Sequence, residues 1–191
     1  MPLFTEDAVF LYHSRSRDVA PGRGVGEEIH VPEATFANLA RFPDWRRKLS
    51  NFANTPFFLD GLTWGSVEHF FQASKFIAVD PAYYRSFSLD SGSTIGGVCG
   101  AEIKSAGGKK GRPLGAEDRE RWEQVKYDVM RRALLAKFTQ NAEPRAILLA
   151  TGLAKLTHRP LRASHTRVEV ELMEVRERLR NEAFVSAGVS A

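Results

Sequence analysis

One cysteine in 191 residues, Cys99, cannot close a disulfide within the chain. That fits a reducing compartment and excludes a cysteine-rich metal site. Its setting, IGGVCGAEI, holds no neighbouring histidine, so Cys99 is expected to be a small buried residue and not a nucleophile. Long apolar runs are also missing: nothing approaches the roughly 18 residues of a membrane span. The opening MPLFTEDAVFLYHSRSR lacks a basic segment ahead of a long apolar core. A cytoplasmic protein without a membrane partner is the expectation. The histidines at 13, 30, 69, 158 and 165 show no HExxH or other paired spacing, so neither metal nor cofactor is expected. A GxSxG elbow is lacking, and Gly108-Lys109 is not followed by the Ser or Thr of a P-loop. Neither sign of charge dominates: 27 Lys and Arg against 23 Asp and Glu leave a net +4. This permits an anionic partner such as a phosphorylated metabolite or nucleic acid without requiring one.

What is present suits one hydrophobic core. The length and 43% hydrophobic content predict a single α+β domain, helix-rich, with a β-hairpin and a few short strands, over 1–182, followed by a flexible tail at 183–191. Ala8–Tyr12 suits an opening strand, RSRDVAPGRGVGEE a loop, and Thr35–Phe42 a short helix. Asp44–Lys48 (DWRRK) gathers three basic side chains that could hold a phosphate, or could be a solvated helix end. Asp60-Gly61 between Phe57–Leu59 and Leu62–Trp64 is a strong hairpin signal, because both turn residues tolerate positive φ. SLDSGSTIGGVCG is expected to be a long loop. Glu117–Phe138 is the clearest helix, with Trp122, Val125, Val129, Ala133 and Ala136 along its core side. A further helix starts at Glu143-Pro144 and stops at Gly152. Val168, Leu172, Val175 and Leu179 mark a closing amphipathic helix, with Glu174 and Arg178 paired on its exposed side.

The chemistry concentrates at 49–76, LSNFANTPFFLDGLTWGSVEHFFQASKF. A helix from about Ser66 places Glu68, Gln72 and Lys75 at i, i+4 and i+7 on one stripe. Phe71 and Phe76 flank the stripe, while Val67, Phe70, Ala73 and Ile77 cover the opposite surface. A carboxylate held between aromatic rings loses water and has its pKa raised, which suits proton transfer near neutral pH. The same spacing occurs on solvated helices, where Glu68 and Lys75 would form a surface pair, and both readings stand at this point. AEIKSAGGKK (101–110) could bring amides and ammonium groups to a phosphate, or be a flexible basic loop.

LSNF, the hairpin ending in Trp64, SVEHFFQASKF, VM at 129–130, AKFTQN at 136–141, LLATGLAKLTH at 148–158 and ELMEVRERL at 171–179 together resemble the NADAR superfamily of YbiA-like proteins. GRGVGEE, PDWRRKLSNF, FSLDSGS and AGGKKG resemble a longer subgroup of it. The resemblance implies an N-glycosidase that hydrolyses the C–N bond between a ribose and a base-like amine. Its substrate would be ADP-ribose on guanine, in ADP-ribosylated DNA, or a phosphorylated ribosylamino-pyrimidine of riboflavin biosynthesis. It implies Glu68 as the catalytic glutamate and Trp122 as a stacking surface for the base. Asn51 and Phe52 of LSNF, Trp64, Gln72, Lys75 and His158 would line the substrate, and Arg23, Gly24, Lys109 and Lys110 would meet its phosphates. Shorter members carry an Asp-x-x-Trp-Gly word where this chain has THRPLRASHTRVEV, so His158 or Arg159 would take over part of that role. A non-catalytic NAD or ADP-ribose-binding module and a basic nucleic-acid-binding protein are the competing classes.

Overall fold

The computed structural model describes residues 2–159 and 165–188, with side chains through Glu182. The fold is α+β and helix-rich. Its strands are Thr5–Tyr12 (β1), Glu28–Ile29 (β2), Phe57–Leu59 (β3), Leu62–Trp64 (β4), Ala154–His158 (β5) and Arg167–Val168 (β6). Its helices are Trp45–Leu49 (α1), Val67–Ser74 (α2), Pro81–Ser86 (α3), Thr94–Gly97 (α4), Ala101–Ala106 (α5), Ala116–Gln140 (α6), Ala142–Ala150 (α7) and Val170–Gly188 (α8). They form two compact units, Met1–Ser50 with Ala142–Ala191, and Asn51–Asn141. Among the described residues no helix is long and apolar enough to cross a membrane. From 189 onward, and for its side chains from 183, the expected flexible tail lies outside the described residues.

The first unit is built on a sheet of order β2-β1-β5-β6, with β1 and β5 parallel and the other pairs antiparallel. Ala8, Phe10, Leu11 and Tyr12 of β1 are buried. Phe10 meets Phe36 edge-on at 4.9 Å and Trp45 at 5.1 Å. The helix expected over Thr35–Phe42 is instead two 3-10 turns, Glu33–Phe36 and Leu39–Arg41, which bury Phe36 and Leu39. In α7 Pro144 lies within the first turn, where its missing N–H leaves no bond unmade. The closing helix begins at Val170, so Val168 belongs to β6, while Leu172, Val175 and Leu179 are buried as the pattern implied. On its outer side Arg178 donates to Glu182 at 3.1 Å. Arg176, almost wholly buried, donates to Thr151 Oγ1, Ala154 O and Leu3 O, each at 2.8 Å, and so ties α8 to the first residues of the chain.

The basic cluster of DWRRK is not an open phosphate site. Arg46 is buried and gives Nε and Nη2 to the two oxygens of Glu27 at 2.6 Å, with further bonds to Val19 O and Ala20 O. Glu27 Oε2 also accepts the backbone N–H groups of Gly22 and Gly24 at 3.0 Å. The GRGVGEE loop therefore wraps its own carboxylate, and Gly22, at φ 81°, supplies a backbone turn that an L side chain would strain. Arg47 donates to Ser16 O and pairs with Asp44, and Lys48 pairs with Glu143 at 2.7 Å.

In the second unit the hairpin turns on Asp60 and Gly61, at φ 54° and 77°, with Leu59 opposite Leu62. Ser66 caps α2 by accepting from the His69 N–H. On α6 the buried face is Trp122, Met130, Ala133, Leu134, Lys137 and Phe138. This corrects the expected stripe: Val125 is 43% exposed, and Val129 and Ala136 are only half-buried. Beyond Trp122, the first half of this long helix faces outward, and packing begins at Met130. The segment expected to be a long loop folds into a 3-10 turn, Leu89–Ser91, followed by α4 and α5. Cys99 is exposed, not buried, and Ile77 is 53% exposed instead of covering the back of the Glu68 helix.

Lys137 is fully buried, and burial pulls its ammonium down from 10.5 to about 7. Between those values the unfolded chain binds the proton and the folded chain does not, so stability rises with pH over that interval. Urea unfolding at pH 7 and pH 10 should show a gain on the order of 3 kcal/mol, and Lys137→Met should flatten it. An equal rise in both proteins would assign it to another group.

Candidate active site

The Asp60-Gly61 hairpin delivers the chain into α2, and Ser66 fixes where the helix starts, so Glu68 falls in its first turn. Glu68 is 7% exposed and Gln72 is 4% exposed. Lys75 continues the helix at φ −60° and ψ −25°, which keeps all three on one stripe. The solvated-helix reading therefore falls, because the stripe faces inward. Gln72 Nε2 donates to Glu68 Oε1 at 2.7 Å. Lys75 Nζ donates to Gln72 Oε1 and, at 2.9 Å, to Gly107 O.

Burial raises the Glu68 carboxyl above its ordinary value, against the opposing pull of the Gln72 hydrogen bond, Lys104 and Lys75. Burial likewise lowers the Lys75 ammonium, with Glu68 pulling the other way and Lys104 adding to the fall. A desolvated carboxylate with a raised pKa, beside a partly desolvated ammonium group, suits taking a proton and opposing developing positive charge.

Trp122 of α6 meets Phe71 edge-on, with centroids 4.8 Å apart, and Lys75 Nζ lies 5.8 Å from the Trp122 ring centre. Asn51 accepts the Glu68 backbone N–H at 3.0 Å through its own carbonyl, and its Nδ2 reaches Met130 Sδ at 3.6 Å. Phe52 is half-buried one residue on. Lys109 and Lys110 are exposed on the turn after α5.

The remaining expected site residues have the following surroundings. Trp64 is fully buried, its Nε1 on Leu59 O at 2.9 Å and its ring against Phe70 and Tyr84, so it is a core residue of the hairpin. Arg23, Gly24 and His158 belong to the first unit. There Arg23 pairs with Glu33 at 3.0 Å, the Gly24 amide is taken by Glu27, and His158 is half-buried with its ring 6.0 Å from Tyr12. Arg159 is exposed at the edge of the described residues, and Pro160–Ser164 lie outside them.

Three contributors were not assigned to this site from the sequence, although Lys104 and Gly107 lie in the AEIKSAGGKK segment read as a phosphate-binding or flexible basic loop. Lys104 looks like an ordinary helix lysine, yet it acts on Glu68 and Lys75. Gly107 is the first of two adjacent glycines and accepts from Lys75. His69, next to Glu68, is held at Nδ1 by Ser66 Oγ (2.8 Å) and at Nε2 by Val98 O (3.0 Å). The carbonyl can only accept, so Nε2 carries the proton, and burial lowers this imidazole's pKa. Nδ1 thus braces the cap of α2, and Nε2 holds α2 to the 98 segment.

Comparison with known proteins identifies the family. The NADAR domain matches residues 35–162. The N-glycosidase YbiA of Escherichia coli K12 is 37% identical over 160 residues, covering 78% of this chain and 92% of that protein. The N-glycosidase Npun_R5314 of Nostoc punctiforme is 29% identical over 147 residues, covering 69% and 85%. The NMR structure of E. coli YbiA superposes with a TM-score of 0.53 at 27% identity, covering 98% of this chain and 95% of that one. A domain match over most of the chain, a relative above one-third identity and a shared fold place this protein in the NADAR family.

Proposed function

We propose that this protein is an N-glycosidase that hydrolyses the bond between C1′ of a ribose and a base nitrogen, with ADP-ribose on guanine as its substrate. The observation that carries the reading is Glu68: a carboxylate withdrawn from water, held at one oxygen by Gln72, with Lys75 and Lys104 close enough to act on it. As the C1′–N bond breaks, positive charge spreads over C1′ and the ring oxygen. The Glu68 carboxylate opposes that charge and takes a proton from the attacking water, whose oxygen bonds to C1′. The departing nitrogen takes up a proton, so one water is added across the bond.

Trp122 and Phe71 supply an aromatic wall for a purine. Lys109 and Lys110, for which no ion pair is found among the described residues, supply charge for the diphosphate and for flanking nucleic-acid phosphates. Two relatives carry the name N-glycosidase, which supports the bond class.

The test is release of free ADP-ribose from guanine-ADP-ribosylated DNA by the wild-type protein, with a phosphorylated ribosylamino-pyrimidine assayed in parallel. Release from the DNA is the expected result. Turnover of the pyrimidine alone would assign the small-metabolite substrate, and binding of ADP-ribose without turnover of either would make this a binding module.

A further inference from the structure

Gln72 had been expected to touch substrate, yet both ends of its amide are occupied within the protein. Its Nε2 is on Glu68 Oε1 and its Oε1 is on Lys75 Nζ. Lysine has donors and no acceptor, so the Gln72 oxygen must face Lys75 and the NH2 must face Glu68. Lys75 is itself anchored by Gly107 O at the end of α5. A Cβ on Gly107 would lie 2.2 Å from Gln72 Oε1 and 2.6 Å from Gln72 Cβ, so no larger residue fits without moving this side chain. Gly107 has φ −78°, a conformation open to any residue, so the requirement there is for space alone. No second hydrogen bond to the Glu68 carboxylate is found among the described residues.

We infer that Gly107, Lys75 and Gln72 form a positioning relay that holds Glu68 by Oε1 and leaves Oε2 to face water and substrate. The inference rests on the reading of Glu68 as the group that acts on water. Gln72 and Gly107 are positioning residues: they reach the reaction only through the Glu68 carboxylate. The relay also sets the charge state of that carboxylate, since an amide donor favours its ionised form. The charged groups acting on Glu68 are Lys75 at the end of α2 and Lys104 of α5. From α6, Trp122 packs on Phe71, and Arg132 lies over Phe70 while pairing with Asp60. Beyond α2, Tyr83 of α3 packs on Phe76, and Arg112 pairs with Asp80.

Two measurements test the relay. The first needs no substrate: a 13C NMR titration of the glutamate carboxyls, with the Glu68 signal identified by its loss in Glu68→Gln. Gln72→Leu and Gly107→Ala should each move the Glu68 midpoint to higher pH, whereas Lys109→Ala should leave it in place. The second is the pH dependence of kcat on whichever substrate turns over. The acid limb should move to higher pH in Gln72→Leu, with kcat at pH 6 down about tenfold and the alkaline plateau within about threefold of wild type, the scale of one hydrogen bond to a charged group. Glu68 midpoints unchanged in both variants would overturn the relay. So would a kcat lowered equally at every pH with KM raised, which would mark Gln72 as a substrate contact. A wild-type protein without turnover on any substrate would remove the proposed activity, but the NMR titration would still report on the relay.

Discussion

Glu68→Gln protein is expected to lose turnover by about 10³-fold or more, because removing one charge abolishes both water activation and opposition to positive charge at C1′. Shape is conserved, so the dissociation constant for ADP-ribose should stay within about tenfold of wild type. The same substitution should stabilise the fold at neutral pH. Burial raises the Glu68 pKa above its ordinary 4.5, so the folded state holds the proton more tightly than the unfolded chain. Wild-type stability therefore falls as pH rises from 4.5 through the raised folded value, a loss the glutamine does not share. Calorimetry should show a higher Tm for Glu68→Gln at pH 7.5, by about 2–4 °C for each 1 kcal/mol of relieved burial cost in a chain of this size. The gap should close below pH 4.5. More than a tenth of wild-type turnover in the variant would overturn the mechanism, and a lower Tm at pH 7.5 would show that Glu68 gains more from Lys75 and Lys104 than it loses by burial.

Glu27→Ala should be the most damaging change outside the second unit. The Glu27 and Arg46 side chains are 0% and 3% exposed, and Glu27 accepts from Arg46 Nε and Nη2 and from the amides of Gly22 and Gly24. Alanine would strand a buried guanidinium and two loop amides, a loss of about 3–5 kcal/mol. Thermal unfolding should move down by roughly 10 °C, the product of that loss and the Tm shift per kcal/mol in a chain of this size. Pairing Glu27→Gln with Arg46→Met removes both charges and should recover part of the loss, as replacing a buried pair costs less than breaking it. A Tm within about 2 °C of wild type for Glu27→Ala would mean that water enters and solvates Arg46.

Much of the second unit was legible in local order. Asp60-Gly61 turns a hairpin because both residues adopt positive φ, which is a property of two adjacent residues. Ser66 caps α2 three residues before His69, and 3.6-residue periodicity then sets Glu68, Gln72 and Lys75 on one stripe. Such signals are carried by bonds and dihedrals within one or two turns of chain. Long-range packing decided the rest. The α6 stripe was misplaced because Val125 and Met130 are equally apolar, and only the packing partner determines which turns inward. Arg46 and Arg47 looked like one basic cluster because charge in sequence does not reveal the carboxylate 19 residues earlier that claims Arg46. Trp64 and Trp122 are both hairpin- or helix-borne indoles, yet one is in the core and the other is against Phe71 beside Lys75.

By itself the sequence determined the residue types of the site, their spacing on α2 and the family resemblance, because these depend on chemistry and helical periodicity. Only the tertiary structure decided that the stripe faces inward, that Gln72 is held between Glu68 and Lys75, and that Gly107 must lack a side chain. The inward face and the need for space at Gly107 rest on α5 or α6 packing against α2, and no window of sequence contains the desolvation that such packing imposes.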